Sequence, residues 1–147
     1  MNRLEMTHSD VLVSDIATSA THAHTIDCIG YSYASIDTSF EPVAAAGGTT
    51  NAMFTVLTLT ESDSSGGTYT AVTGFVAGTD YTIPAALGTG VSGTVRFNLN
   101  LEGKKRFLKL SVTPSVAQAL VTNVRLGVAE ASPTNATLAG TSIFVSG

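Results

Sequence analysis

Residues 94–101 alternate without a slip: Val95, Phe97, Leu99 and Leu101 are apolar, and Thr94, Arg96, Asn98 and Asn100 are polar. Successive side chains on an extended chain point to opposite faces, so this run fits a strand with one face on a core and the other toward solvent. The period recurs at 107–113, where Leu108, Leu110 and Val112 share a parity. It recurs again at 120–128, with Leu120, Thr122, Val124, Leu126 and Val128 on the inward parity and Asn123 and Arg125 on the other. Thr, Ser, Val, Ala and Gly dominate the chain, and proline is confined to Pro42, Pro84, Pro114 and Pro133. β-branched residues suit a pleated backbone, and Gly and Pro mark turns. No window of helix length carries a sustained apolar stripe with caps; 115–120 offers a single turn at most.

Further strands are expected at 11–15, 25–32, 53–60, 68–72 and 81–83. Roughly eight short antiparallel strands predict an all-β fold, a single-domain jelly roll or β-sandwich with extended terminal arms. Glu102 and Gly103 supply a turn between the strands at 94–101 and 107–113, which predicts an antiparallel hairpin with Lys104, Lys105 and Arg106 near its tip. The run 53–60 breaks the alternation, with Phe54 and Val56 on one parity and Leu57 and Leu59 on the other. It is therefore bulged or buried on both faces, and the double burial is the favoured reading. Residues 1–10 read as an N-terminal arm, 11–130 as the sandwich and 131–147 as a C-terminal arm ending in a short apolar stretch. The stretches 44–50 and 85–92 are Gly/Ala-rich loops.

A chain of 147 residues that is 44% hydrophobic is one domain long and buries a core without staples. Only 12% of its residues are charged and its mean hydropathy is +0.29, a low charge for a dispersed monomer. Much of its surface is expected to be covered by other chains. Cys28, the single cysteine, excludes an intrachain disulfide and reads as a small buried hydrophobe. The first ten residues hold no signal-peptide run, and nothing approaches the roughly 18–20 apolar residues of a membrane span, so synthesis and first folding are expected in a cytoplasm, with no membrane partner.

The net charge of −4 argues against a general nucleic-acid binder. Its distribution is uneven: residues 1–80 carry nine acids and one base, Arg3, while residues 81–147 carry two acids and six bases. The two halves are expected to neutralise each other within the fold; complementation between neighbouring copies is the alternative.

Candidate chemistry is sparse. His22 and His24 would share a strand face about 7 Å apart, a spacing that suits a metal. No third ligand lies at motif spacing, and a structural or solvent-exposed pair is the expectation. His8, Ser9 and Asp10 are the residue types of a hydrolase triad, but neighbours on an extended chain point apart and form no relay. Asp63 among Ser62, Ser64 and Ser65 lacks the carboxylates of a calcium loop and reads as a polar turn. Gly66-Gly67 and Gly88-Thr89-Gly90 lack the strand-to-helix context of a phosphate loop. Asn135-Ala136-Thr137 matches a glycosylation pattern, discounted in a chain expected to be cytoplasmic. Tyr31 and Tyr33 at period two would form a stacking platform for a sugar if both lay on one strand face, although packing in a core or interface is the commoner fate of such a pair. Lys104, Lys105 and Arg106 are either a site for an acidic partner or a solvated hairpin tip. The expectation is a non-enzymatic protein with no cofactor and no metal.

Four segments in order carry a resemblance: LVSDIATSAT at 12–21, TIDCIG at 25–30, TLTESDSSGGTYTAV at 58–72 and RFLKLSVTPS at 106–115. Together the chain resembles tailed-bacteriophage capsid decoration proteins, and is most similar to the small jelly-roll cement proteins, the group that includes that of a short-tailed Bordetella phage. The chain departs from that pattern at Thr60-Glu61, where a Gln and a longer acidic run are usual, in an expanded loop at 74–92 and in the tail beyond Ala131. The resemblance implies a homotrimer on the outer surface of a phage head, at three-fold and quasi-three-fold positions, clamping the major capsid protein against DNA pressure. The family's contact positions do not carry over; the terminal arms and the basic run instead supply the candidate capsid or trimer contacts Arg3, Leu4, Met6, Lys104, Lys105, Arg106, Ile143 and Phe144. A glycan- or receptor-binding β-sandwich of a tail or adhesin is the alternative.

Overall fold

The computed structural model describes residues 20–41, 52–83, 85 and 92–127 in full, and the backbone pairing of 8–16 and 143–146. These residues form nine strands: β1 (His8–Ile16), β2 (His22–Asp27), β3 (Tyr33–Phe40), β4 (Phe54–Ser62), β5 (Thr70–Ala71), β6 (Gly93–Asn100), β7 (Phe107–Pro114), β8 (Gln118–Gly127) and β9 (Ile143–Ser146). One sheet has the order β1-β8-β3-β6-β9 and the other β2-β7-β4-β5. The first eight strands pair antiparallel as β1 with β8, β2 with β7, β3 with β6 and β4 with β5. That is one long hairpin wound so that its segments fall in opposite sheets, which is the jelly-roll topology. β9 is an addition, running parallel to β6 at the sheet edge.

The alternation read in the sequence becomes the core. Val95, Phe97 and Leu99 of β6 and Leu120, Val124 and Leu126 of β8 face Leu108, Leu110 and Val112 of β7 across the sandwich, all essentially inaccessible. Burying a side chain of this size contributes about 1.5–3 kcal/mol. Phe40 of one sheet meets Phe54 of the other edge to face, 5.1 Å between centroids. After β5 the chain folds back over the core opening: Val72 and Phe75 are buried, and Phe75 and Tyr81 pack on Phe97 at 5.8 and 5.5 Å. The Tyr81 hydroxyl donates to the Leu57 carbonyl, and burial raises its pKa above the ordinary tyrosine range.

Several expectations are corrected by the pairing. The strands at 94–101 and 107–113 are not a hairpin: β6 pairs with β3 and β9, β7 pairs with β2 and β4, and the link between them crosses from sheet to sheet. Two runs with one apolar face each can oppose one another across a core as readily as lie side by side, and the residues from 101 to 106 are enough to cross the roughly 10 Å between sheets. The strand expected at 25–32 ends at Asp27. Gly30, at φ +83°, sits third in a turn closed by Tyr31 N–H donating to the Cys28 carbonyl at 3.2 Å, a backbone conformation that favours glycine.

Beyond that turn lies β3, a strand the alternation did not announce. Residues 81–83 contribute an isolated bridge, Ala77 to Tyr81, rather than a strand. The turn considered at 115–120 gives way to β8 from Gln118. Within β4, the pairing slips between Phe54 and Val56. The extra residue, Thr55, sends Phe54, Leu57 and Leu59 into the core while Thr55 and Val56 face outward, Val56 being 37% exposed. A bulge, not double burial, accounts for the mixed parity. At the ends, residues 8–10 of the expected N-terminal arm already pair in β1, and 143–146 of the expected C-terminal arm form β9.

Candidate contact surface

The β2–β3, β4–β5 and β6–β7 turns meet at one end of the sandwich, because alternate connections of a jelly roll emerge together. They are knit by backbone bonds: Cys28 N–H donates to the Arg106 carbonyl at 2.8 Å and Leu101 N–H to the Ser32 carbonyl at 2.9 Å. Leu101 to Lys104 forms a tight turn, closed by Lys104 N–H on the Leu101 carbonyl at 3.1 Å with Gly103 at φ +74°. The 62–67 turn is fixed from within: Ser64 N–H donates to Ser62 Oγ at 3.3 Å, and Gly67 N–H to the Ser64 carbonyl at 3.0 Å. A Cβ on Gly67 would lie 2.8 Å from Ser62 Oγ, so this turn closes around a glycine.

The basic run is held in this frame rather than projecting from a hairpin tip. Arg106 donates from Nε and Nη2 to the two oxygens of Asp27 at 2.9 and 2.6 Å, and its guanidinium lies 4.8 Å from the Phe107 ring centre. The hydrogen bonds from Arg106 hold the Asp27 carboxyl below its ordinary range, and the same pairing raises Arg106. Lys105 donates its backbone N–H to Glu61 Oε2 at 3.1 Å, and its ammonium lies 3.8 Å from Asp63 Oδ2. Lys104 makes no ion pair among the described residues. Lys109 stacks its ammonium 3.6 Å from the centre of the Tyr69 ring, whose hydroxyl donates to the Ser65 carbonyl at 3.1 Å. Beside Asp27, whose Oδ1 accepts from its backbone N–H, Ile29 is 62% exposed, the most exposed large apolar side chain among the described residues. The surface is thus a set of turns tied together by hydrogen bonds, with exposed Ile29 standing beside the paired charges of Asp27 and Arg106.

That balance extends across the molecule. On the outer face of the first sheet, Asp37 of β3 takes hydrogen bonds from Arg96 of β6, through Nε and through Nη2 at 2.9 Å, and from Nη2 of Arg125 on β8 at 2.8 Å. Every ion pair among the described residues joins an acid of the first 80 residues to a base beyond them. The two oppositely charged halves are interleaved by the winding, as intramolecular neutralisation requires.

His22 and His24 do share a face, but it is the inner one, and both are buried. His22 Nε2 lies 3.0 Å from Thr122 Oγ1, which lies 3.1 Å from Thr38 Oγ1, a polar thread between the sheets. Burial, reinforced by His24, lowers the His22 pKa. No group of three metal-ligating side chains occurs among the described residues. Cys28 is buried and its thiol is pushed up to about 12 by burial, so it stays a neutral packing group. Tyr31 lies in the turn before β3 and packs on the core, whereas Tyr33 opens the strand. The two rings therefore do not make a platform on one strand face.

Of the expected contact residues, the structure gathers Lys104, Lys105 and Arg106 into this end surface. Ile143 and Phe144 lie in β9 at register with Val95 and Arg96. Arg3, Leu4 and Met6 lie outside the described residues. Exposed Ile29 was not among the expected residues, and its signal was available: an apolar residue immediately before a turn glycine, outside any alternating run.

Neither a protein-family model nor a curated protein matches this chain. A solved structure titled "Bacillus endospore appendages form a novel family of disulfide-linked pili" is similar over 88% of this chain and 95% of its own, at 18% identity and a TM-score of 0.36. A likeness at that distance carries no argument here. The jelly-roll assignment rests on the strand pairing itself.

Proposed function

We propose that the chain is a structural virion protein that decorates the outside of a tailed-phage head, seated as a homotrimer on the major capsid protein and holding adjacent capsomers together. The observation that supports it is the end surface, where the segments at 58–72 and 106–115 that carry the family resemblance converge beside exposed Ile29. A protein that works by contact gains from a surface ordered before binding, since little conformational entropy is then lost on docking. A cyclic trimer needs one heterologous interface repeated three times. Each trimer touches several capsid subunits, so individually modest contacts act together at high effective concentration. Mass spectrometry and imaging of purified virions test the reading. The expected result is the chain in stoichiometric amount at three-fold positions; mature heads without it would overturn the reading.

A further inference from the structure

We propose that the β6 edge accepts the β9 strand of a second copy of this chain, so that β9 exchange links neighbouring subunits. The inference stands apart from the capsid reading and rests on register and reach. Without β9, β6 would close its sheet with a bare edge, a row of unpaired backbone groups that invites another strand. β9 covers it with only four register pairs, Val95 with Ile143 through Asn98 with Ser146, in parallel rather than antiparallel orientation.

The connection to β9 is long for that task. β8 ends at Gly127, in register with Tyr33, which is in register with Asn100 at the far end of β6. β9 starts five residues back along β6, opposite Val95. At about 3.3 Å per residue and about 4.8 Å between strands, the gap is on the order of 22 Å. Residues 128–142 number fifteen and can extend to about 50 Å, more than twice the gap. A subunit of this size has a radius of gyration of roughly 15 Å, so the same segment reaches the β6 edge of an adjacent copy.

Own and exchanged strands make identical contacts, so the register does not favour one over the other. Occupancy is decided by the local concentration of neighbours against the effective concentration of the tethered strand, roughly millimolar for a flexible connection. In dilute solution the strand stays home. In a crowded assembly it passes to the neighbour, and each subunit is tied to the next without any new contact.

The test uses full-length chains carrying one substitution each, Asn98→Cys or Ser146→Cys, at positions in register; the buried Cys28 is left in place. The two are mixed, concentrated from micromolar to millimolar and oxidised. A mixed disulfide-linked dimer that rises at least tenfold in yield over that range is expected, while the doubly substituted chain closes on itself when dilute. Val145→Pro, which puts a fixed φ and a ring in the middle of β9 opposite Phe97, is expected to abolish both links. Linkage confined to the doubly substituted chain at every concentration would overturn exchange, and no linkage in any sample would overturn the pairing on which it rests.

Discussion

Asp37 and Arg96 stand at one register position on β3 and β6, and the arginine grips both carboxylate oxygens on the outer face of the first sheet. The Asp37 side chain is only 10% exposed and Arg96 19%, so neither charge is well solvated if its partner is lost. Asp37→Ala would leave Arg96 and Arg125 facing one another without their shared anion. Breaking such a pair costs about 3 kcal/mol, or about 10 °C in Tm for a domain of this length. Asp27→Ala removes an equally well-formed pair with Arg106, but both partners are 40% or more exposed. Solvent screens that pair, so its loss is expected to lower Tm clearly less than Asp37→Ala does. Thermal melts of the two variants check the contrast, and equal losses would contradict it.

Acid is expected to weaken the sandwich through His22. Its folded pKa lies below the unfolded value because burial, and then His24, disfavour the charged ring. The unfolded chain therefore binds more protons as pH falls through about 6.5, so stability is full above that value and declines below it. The urea midpoint should be lower at pH 5 than at pH 7.5. His22→Gln, which keeps a polar group near Thr122, should flatten the difference between those two midpoints. A midpoint equally pH-dependent in both proteins would place the effect elsewhere.

Strict alternation made β6, β7 and β8 legible in position and in inward parity, while the strands expected at 11–15, 25–32, 53–60 and 68–72 overlap β1, β2, β4 and β5 with shifted ends. β3 escaped because its inward face is Ala34, Ile36, Thr38 and Phe40 and its outward Ser35 and Asp37 are buried too, so burial there does not follow hydrophobicity. The partner that solvates Asp37 lies 59 residues away, and no local pattern reports it. Pairing was less legible than parity. Alternation fixes which side chains face a core, but not whether the next strand lies beside or across from it, which is how β6 and β7 came to be expected as a hairpin. The contact surface was half legible: its basic run was visible, whereas the acids that hold it, Asp27, Glu61 and Asp63, arrive from two other turns.

The β4 bulge makes a sharp distinction between adjacent residues. Leu57 is fully buried and Val56 is 37% exposed. Leu57→Ala should cost about 3 kcal/mol through lost burial and the cavity left behind. Val56→Ala should cost no more than about 0.5 kcal/mol. Chemical denaturation of the pair measures both, and a large loss at Val56 would restore double burial of this strand.

Ile29 offers a way to separate docking from folding. Its side chain is 62% exposed and stands beside Asp27 and Arg106 on the end surface, so Ile29→Asp should change folding stability by no more than about 0.5 kcal/mol. If this surface seats on the capsid, the same change places an unpaired charge in an apolar contact and should weaken attachment by about 2 kcal/mol, roughly thirtyfold. Val76→Asp supplies the control, since Val76 is exposed on the loop after β5 and should leave attachment unchanged. Binding of the purified variants to phage heads stripped of this chain gives the comparison. Equal attachment of Ile29→Asp and the unsubstituted chain would remove the three-turn end from the docking surface, whereas loss by both variants would show that attachment responds to added negative charge rather than to this site.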